Sequence, residues 1–219
     1  MSLRLRSRSI PALLAALAIA PVLRLGAQTP KFEGVVSIVL TNNGIANEAQ
    51  YSVKGDMVRM DISMGGMLAY MLMTPSDGKM VVVMPMQRMY MEQSMDTLMA
   101  RAGVGDKGPA VKWTGKKETI AGYQCEHATV TGPDGKSADA CITKELGTFT
   151  MPSGPMSGGR RSEGWQGGLG PEMFPLKVTV GTDVAFEVTR VEKKTLDASL
   201  FSLPTGYQKM QMPGRPSLN

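Results

Sequence analysis

The sequence predicts a mainly β protein: a curved antiparallel sheet with a short amphipathic helix laid across its concave side. Three observations predict it. Apolar or alternating segments of strand length recur from Phe32 to Val191, with Gly, Asn, Asp or Pro in most of the gaps between them. The segments follow one another through short turns, without the strand–helix alternation of a βαβ fold. Thirteen of the nineteen methionines fall between Met57 and Met99, in segments whose two alternating faces are both apolar. Such strands need cover on both sides.

The chain opens as an export signal. Arg4, Arg6 and Arg8 form a basic stretch, Ile10 to Leu23 an apolar core, and Leu25-Gly26-Ala27 a small-residue cleavage site, so residues 1–27 are expected to be removed. The apolar core is shorter than the roughly 20 residues of a spanning helix, and no comparable run follows. No cysteine follows the cleavage site to carry a lipid. The expected product is a soluble periplasmic protein with no stable membrane anchor, one domain over 28–211 and a disordered tail at 212–219. Removing Arg4, Arg6, Arg8 and Arg24 takes the formal charge from +5 to +1. That removes the electrostatic case for nucleic acid, which needs a basic face. Lys116-Lys117 and Lys193-Lys194 are read as solvated strand ends.

The strands follow in order. Phe32 to Thr41 and Glu48 to Val53 flank Asn42-Asn43-Gly44, where Asn and Gly tolerate positive φ. Lys54-Gly55-Asp56 turns the chain into Met57 to Ser63. Gly65-Gly66 turns it into Met67 to Met73, and Pro75-Ser76-Asp77-Gly78 into Lys79 to Met84. Met86-Gln87-Arg88 leads to a short strand over Met89 to Met91. Next, Met95, Leu98 and Met99 recur at helical spacing within Glu92 to Arg101, and Gly103 supplies a stop. Val111 to Ile120 resumes the sheet. Tyr123 to Thr131 and Ser137 to Thr143 flank the turn sequence Gly132-Pro133-Asp134-Gly135-Lys136, and a short helix is expected over Thr143 to Gly147. Residues 152–171 read as a long Gly- and Pro-rich mobile loop anchored by Trp165. Phe174 to Val180 and Val184 to Val191 close the sheet around Gly181-Thr182-Asp183.

Cys125 and Cys141 are the only cysteines. Folding their hairpin about its centre places Cys125 opposite Cys141 on neighbouring strands, and an oxidising compartment favours their pairing. No C-x-x-C motif suggests thiol-redox catalysis. His127, the single histidine, sits two residues from Cys125, where it is read as structural or exposed. The acids Asp56, Asp61, Glu118, Glu126 and Glu187 lie beside turns or on alternating faces, as solvated groups do. No nucleophile elbow, zinc-protease helix or phosphate loop occurs, so no enzyme and no cofactor is expected.

The methionines leave two kinds of site open. Methionine is flexible and polarizable, suited to a wall that repacks around apolar cargo. An apolar cavity is therefore expected between the sheet and the 92–101 helix, lined by Met67, Met71, Met73, Met84, Met95 and Met99, for a lipid or acyl chain. Thioethers are also ligands for Cu(I). Met71-x-Met73, Met84-x-Met86, Met89-x-Met91 and Met210-x-Met212 would each set two sulfurs on one strand face, with Met84, Met86, Met89 and Met91 as the candidate copper set. A third reading is a structural module that binds an envelope protein partner.

Several motifs point to a family. Lys54-Gly55-Asp56-Met57-Val58-Arg59-Met60, then Asp77-Gly78-Lys79 into a strand ending near Pro85 and Tyr90, then Leu200-Phe201-Ser202-Leu203-Pro204-Thr205-Gly206-Tyr207, resemble the LolA/LolB-like envelope proteins. Thr119-Ile120-Ala121-Gly122-Tyr123-Gln124-Cys125-Glu126 and Lys144-Glu145-Leu146-Gly147 resemble an uncharacterised exported bacterial branch of that superfamily. The resemblance implies an incomplete, half β-barrel closed on one side by helices, with an apolar cavity that holds lipoprotein acyl chains in the carrier members. Those carriers latch a lid with an arginine followed by proline. The matching slot here reads Lys54-Gly55, and Arg59 is not given the latch role.

Overall fold

A computed structural model describes residues 31–42, 44–64, 67–74, 77–97, 110–132, 135–147, 149, 165, 169–170 and 172–210. The expected signal at 1–27 and tail at 212–219 lie outside them, as does most of 152–171. Twelve strands form one sheet: β1 (Glu33–Asn42), β2 (Ile45–Lys54), β3 (Met57–Met64), β4 (Met67–Thr74), β5 (Lys79–Met84), β6 (Met89–Ser94), β7 (Ala110–Ile120), β8 (Tyr123–Thr131), β9 (Ser137–Thr143), β10 (Phe174–Val180), β11 (Asp183–Lys193) and β12 (Gln208–Lys209). Their order is β12-β6-β5-β4-β3-β2-β1-β11-β10-β9-β8-β7. Two meanders, β1 to β6 and β7 to β11, are joined by the antiparallel pairing of β1 with β11. Among the described residues only β12, against β6, is parallel. The sheet is curved and does not close into a barrel.

The turns follow the residues that make them. Ala121 and Gly122 both take positive φ, the requirement of a two-residue hairpin whose twist matches its strands. Gly34 is fixed by contact instead: a Cβ there would lie 2.1 Å from the carbonyl oxygen of Glu192 on β11. A larger residue would push β1 off its partner.

Alternation sorts the side chains onto two faces. The inner face carries the main core, where one cross-strand row runs Val36, Tyr51, Met60, Met71, Val82, Met91 and the next runs Val53, Val58, Met73, Met80, Gln93. Phe186, Val188, Val178, Ala140, Ala128 and Val130 continue that core across the second meander. The outer face has a smaller cluster of Tyr70, Leu72 and Val83, with Val81, Tyr90, Leu203 and Tyr207 packed on it.

Each face has its own cover, and the helix expected over 92–101 is not seen at 92–94, while 98–101 lie outside the described residues. Glu92 to Ser94 belong to β6, where they pair with Lys79 to Val81, and only 95–97 are helical among the described residues of that stretch. Continuing the β6 ladder satisfies backbone groups that a short isolated helix would hold only by packing. Residues 144–147 form a turn and not a helix. They start the inner cover instead: Leu146, Phe149, Trp165, Leu169 and Met173 descend between β9 and β10 onto the main core. The outer cover is the carboxyl-terminal strap, a 3-10 turn at Ala198–Phe201 followed by Leu203 to Lys209.

Candidate functional site

The inner face and its roof form the first site. Phe149 is the centre of the roof: its ring lies 5.5 Å from Tyr51, 5.2 Å from Phe174 and 5.2 Å from Phe186, the last two edge-on. Trp165 meets Phe186 edge-on at 5.9 Å. These rings pack three elements, β2, β10 and β11, against Phe149 and Trp165. The amide of Phe149 donates to the carbonyl of Met173 at 3.2 Å, which closes the base of the roof. Among the described residues, the indole N–H of Trp165 is buried without an acceptor and the side-chain carbonyl of Gln93 without a donor. A buried polar group left unpaired costs about 1–3 kcal/mol.

The methionines predicted to line a cavity divide among several places. Met71 and Met73 are buried on the inner face, in the two rows that lead from Tyr51 and Val53. Met84 is half-buried at the far end of β5, and Met95 packs half-buried on the same core, its amide bonded to the carbonyl of Gly78. Met67 opens β4, while Met99 lies outside the described residues. Met60 and Met80, which the sequence does not single out, are more deeply buried than Met84 or Met95. Their alternation with Met71 and Met73 is legible in the sequence, but not which strand sits centrally.

Of the proposed copper set, Met84 and Met89 are direct partners across β5 and β6, and Met91 follows two residues on. Met86 sits on the 3-10 turn Pro85–Gln87 and is 71% exposed. Met71 and Met73 are core residues, and Met212 lies outside the described residues.

On the outer face, Arg59 is the keystone of the strap. Its guanidinium forks onto Asp61 at 2.6 to 3.1 Å, donates to the Leu200 carbonyl at 3.1 Å and stacks over Tyr70 with its carbon 3.8 Å from the ring centre. The hydrogen bonds to Asp61 raise the Arg59 pKa still further. Desolvation by burial raises that of Tyr70. Nearby, Lys54 donates to Glu33 and to the Leu196 carbonyl, both at 2.7 Å, and the Leu196 amide donates back to Glu33. Lys54 thus ties the start of the strap to β1. Nothing in the sequence signals these strap contacts, because Leu196 and Leu200 lie 142 and 141 residues along the chain from Lys54 and Arg59.

The third cluster surrounds the disulfide. Cys125 and Cys141 are bonded, with Cα atoms 5.3 Å apart. The predicted hairpin is present, but the register sets His127 opposite Cys141, so the bridge runs diagonally across β8 and β9. His127, read as structural or exposed, is buried between two acids: its Nδ1 is 2.7 Å from Asp139 Oδ1 and its Nε2 3.0 Å from Glu118 Oε2. Glu118 arrives from β7 and Asp139 from β9, so neither contact is visible from spacing along β8.

Among the described residues no helix is long and apolar enough to cross a membrane. No curated protein matches the chain in sequence. Among solved structures, an uncharacterised conserved protein from Thermus thermophilus matches with a TM-score of 0.52 and 8% identity, over 83% of this chain and 91% of that one. Two crystal forms of PNGF-II match as well. The C2 form has a TM-score of 0.50 at 15% identity, over 84% of this chain, and the P21 form 0.51 at 16%, over 82%. The chain spans only 31% of the PNGF-II chain. At these identities the likeness is one of fold. The model of the domain of unknown function DUF4412 matches residues 32–207, from the residue before β1 into the strap, and the chain belongs to that family.

Proposed function

We propose that the protein is an exported, soluble periplasmic binding protein that holds an apolar chain, a lipid or the acyl group of a lipoprotein, between the inner face of its sheet and the roof. The observation that carries this reading is the roof itself. The apolar inner face of the sheet is covered there by Leu146, Phe149 and Trp165, with Leu169 and Met173 packed beside them, and among the described residues the Trp165 indole N–H has no acceptor. Cover by the packing of a few side chains can open locally while the ladder of the sheet stays paired. On the same face the row from Tyr51, which meets Phe149, through Met60 and Met71 to Met91 offers side chains that refit around cargo of varied shape. Met84 and Met95, half-buried at the margin of this wall, mark where a long chain would emerge.

The test is native mass spectrometry of protein isolated from its own periplasm. A retained apolar molecule on a polypeptide of residues 28–219 supports both the export and the carrier reading, whereas a chain that never carries one rejects the latter. Copper is the second reading, favoured by the face-to-face placement of Met84 and Met89 with Met91 alongside. A retained copper ion in the same spectrum would select it.

A further inference from the structure

Glu118, His127 and Cys141 present one donor atom each, all within 4.8 Å of one another, at the β7–β8–β9 end of the sheet. Cys125 is bonded to Cys141 and is the register partner of Glu118, so it belongs to the same group. We propose that reduction of the Cys125–Cys141 disulfide converts this group into a site for one zinc-class divalent cation, bound by the thiolates of Cys125 and Cys141, Nε2 of His127 and the carboxylate of Glu118.

The donor set fits the chemistry. Structural zinc takes four ligands in a tetrahedron, drawn from thiolate, imidazole and carboxylate. Oxidised, the group offers only His127 and Glu118, because disulfide sulfur is no thiolate. Reduced, it offers four. Two sulfurs on one zinc at about 2.3 Å lie about 3.8 Å apart. Rotation about the Cα–Cβ bonds of two residues whose Cα atoms are 5.3 Å apart accommodates that opening. Asp139 completes the arrangement from outside the ligand set. Its carboxylate, 2.7 Å from Nδ1, would accept that N–H and free Nε2, which lies 3.0 Å from Glu118 Oε2, to bind the metal beside that carboxylate. The sulfurs and the ring are buried, whereas the side chains of Glu118 and Asp139 are 38% and 48% exposed and open a path from solvent.

The balance of the step is simple. A dithiol donates two electrons and two protons to the disulfide and itself becomes a disulfide. Zinc then displaces the two cysteine protons to the buffer. The bond between Cys125 and Cys141 therefore acts as a guard that keeps the site closed under oxidising conditions.

The experiment titrates zinc alone, against a chromophoric chelator, into the exported protein before and after reduction by a dithiol that is then removed without oxygen. Reduced protein should bind one zinc per chain at least about 1,000-fold tighter than oxidised protein. His127→Ala and Glu118→Gln should each weaken binding severely, and Asp139→Asn by about 10- to 100-fold. Cobalt in place of zinc should show a thiolate charge-transfer band that Cys125→Ser/Cys141→Ser lacks. Equal binding by both redox states overturns the proposal. So does unchanged binding by both His127→Ala and Glu118→Gln, which would reduce the site to two thiols. If the reduced apo-protein loses its far-ultraviolet β-sheet signal, zinc must restore it, and failure to do so overturns the proposal equally.

Discussion

Phe149→Ala separates a roof from an ordinary piece of core. Phe149 is 4% exposed and meets the rings of Tyr51, Phe174 and Phe186. Loss of a buried phenylalanine costs about 3–5 kcal/mol where the surroundings stay in place. Three aromatic pairs at about 0.5–1.5 kcal/mol each account for a large part of it. If ligand enters by displacing the roof, that loss falls on the closed state and not on the sheet. A weakening of about 3 kcal/mol raises the open fraction roughly 100-fold, since about 1.4 kcal/mol is a factor of ten. Apparent affinity rises with that fraction until the open form predominates. The assay is displacement of a fluorescent fatty-acyl probe from wild type, Phe149→Ala and Val83→Ala, each checked for an intact sheet by circular dichroism. Val83 is fully buried in the outer cluster, away from the roof. Its truncation should lower stability in urea and leave probe affinity unchanged. Probe affinity that is unchanged or weaker in a folded Phe149→Ala protein would refute the reasoning, because the roof would then not cover the ligand site.

On the outer face, Arg59→Ala should destabilise the protein by about 1–2 kcal/mol, through loss of the stacking on Tyr70 and the tie to Leu200. Hydrogen exchange should show faster opening at Gln208 and Met210, whose amides bond to Arg88 and Tyr90, than at β1. Hydrogen bonds from Lys54 and from the Leu196 amide hold the Glu33 pKa below its ordinary 4.5. The stabilising contribution of Glu33 is therefore present above that value and lost as the pH falls through the lower folded-state pKa. Urea titrations should accordingly show a shallower acid limb for Glu33→Gln than for wild type. For copper, Met84→Leu with Met89→Leu keeps volume and removes sulfur, so a Cu(I) competition titration should lose all binding while the acyl probe is unaffected. No Cu(I) binding tighter than about micromolar by wild type would reject the copper reading.

The sequence by itself determined most of the strands, though not β12 or the second half of β6, because strand patterns depend on neighbours in the chain. Tyr123 to Thr131 and Ser137 to Thr143 are readable to the residue from alternation around Gly132 to Lys136, and the cysteine pairing follows from the hairpin. The methionine segments also announce that both faces of β4 and β5 are covered. What covers them was decided only by tertiary structure. Helical spacing of Met95, Leu98 and Met99 suggests a lid, yet the nearest stretch of chain, Glu92 to Ser94, gains more as a strand that completes the ladder with β5. The covers come from far away instead: Phe149 and Trp165 reach the inner face, Leu203 and Tyr207 the outer. Neither segment has a period that reveals its partner, since a roof or strap held by a few side chains leaves no repeating pattern in sequence. The same holds for His127, whose meaning lies in Glu118 and Asp139. Those acids stand on the strands to either side, and register, which sets who faces whom, exists only once three strands have met.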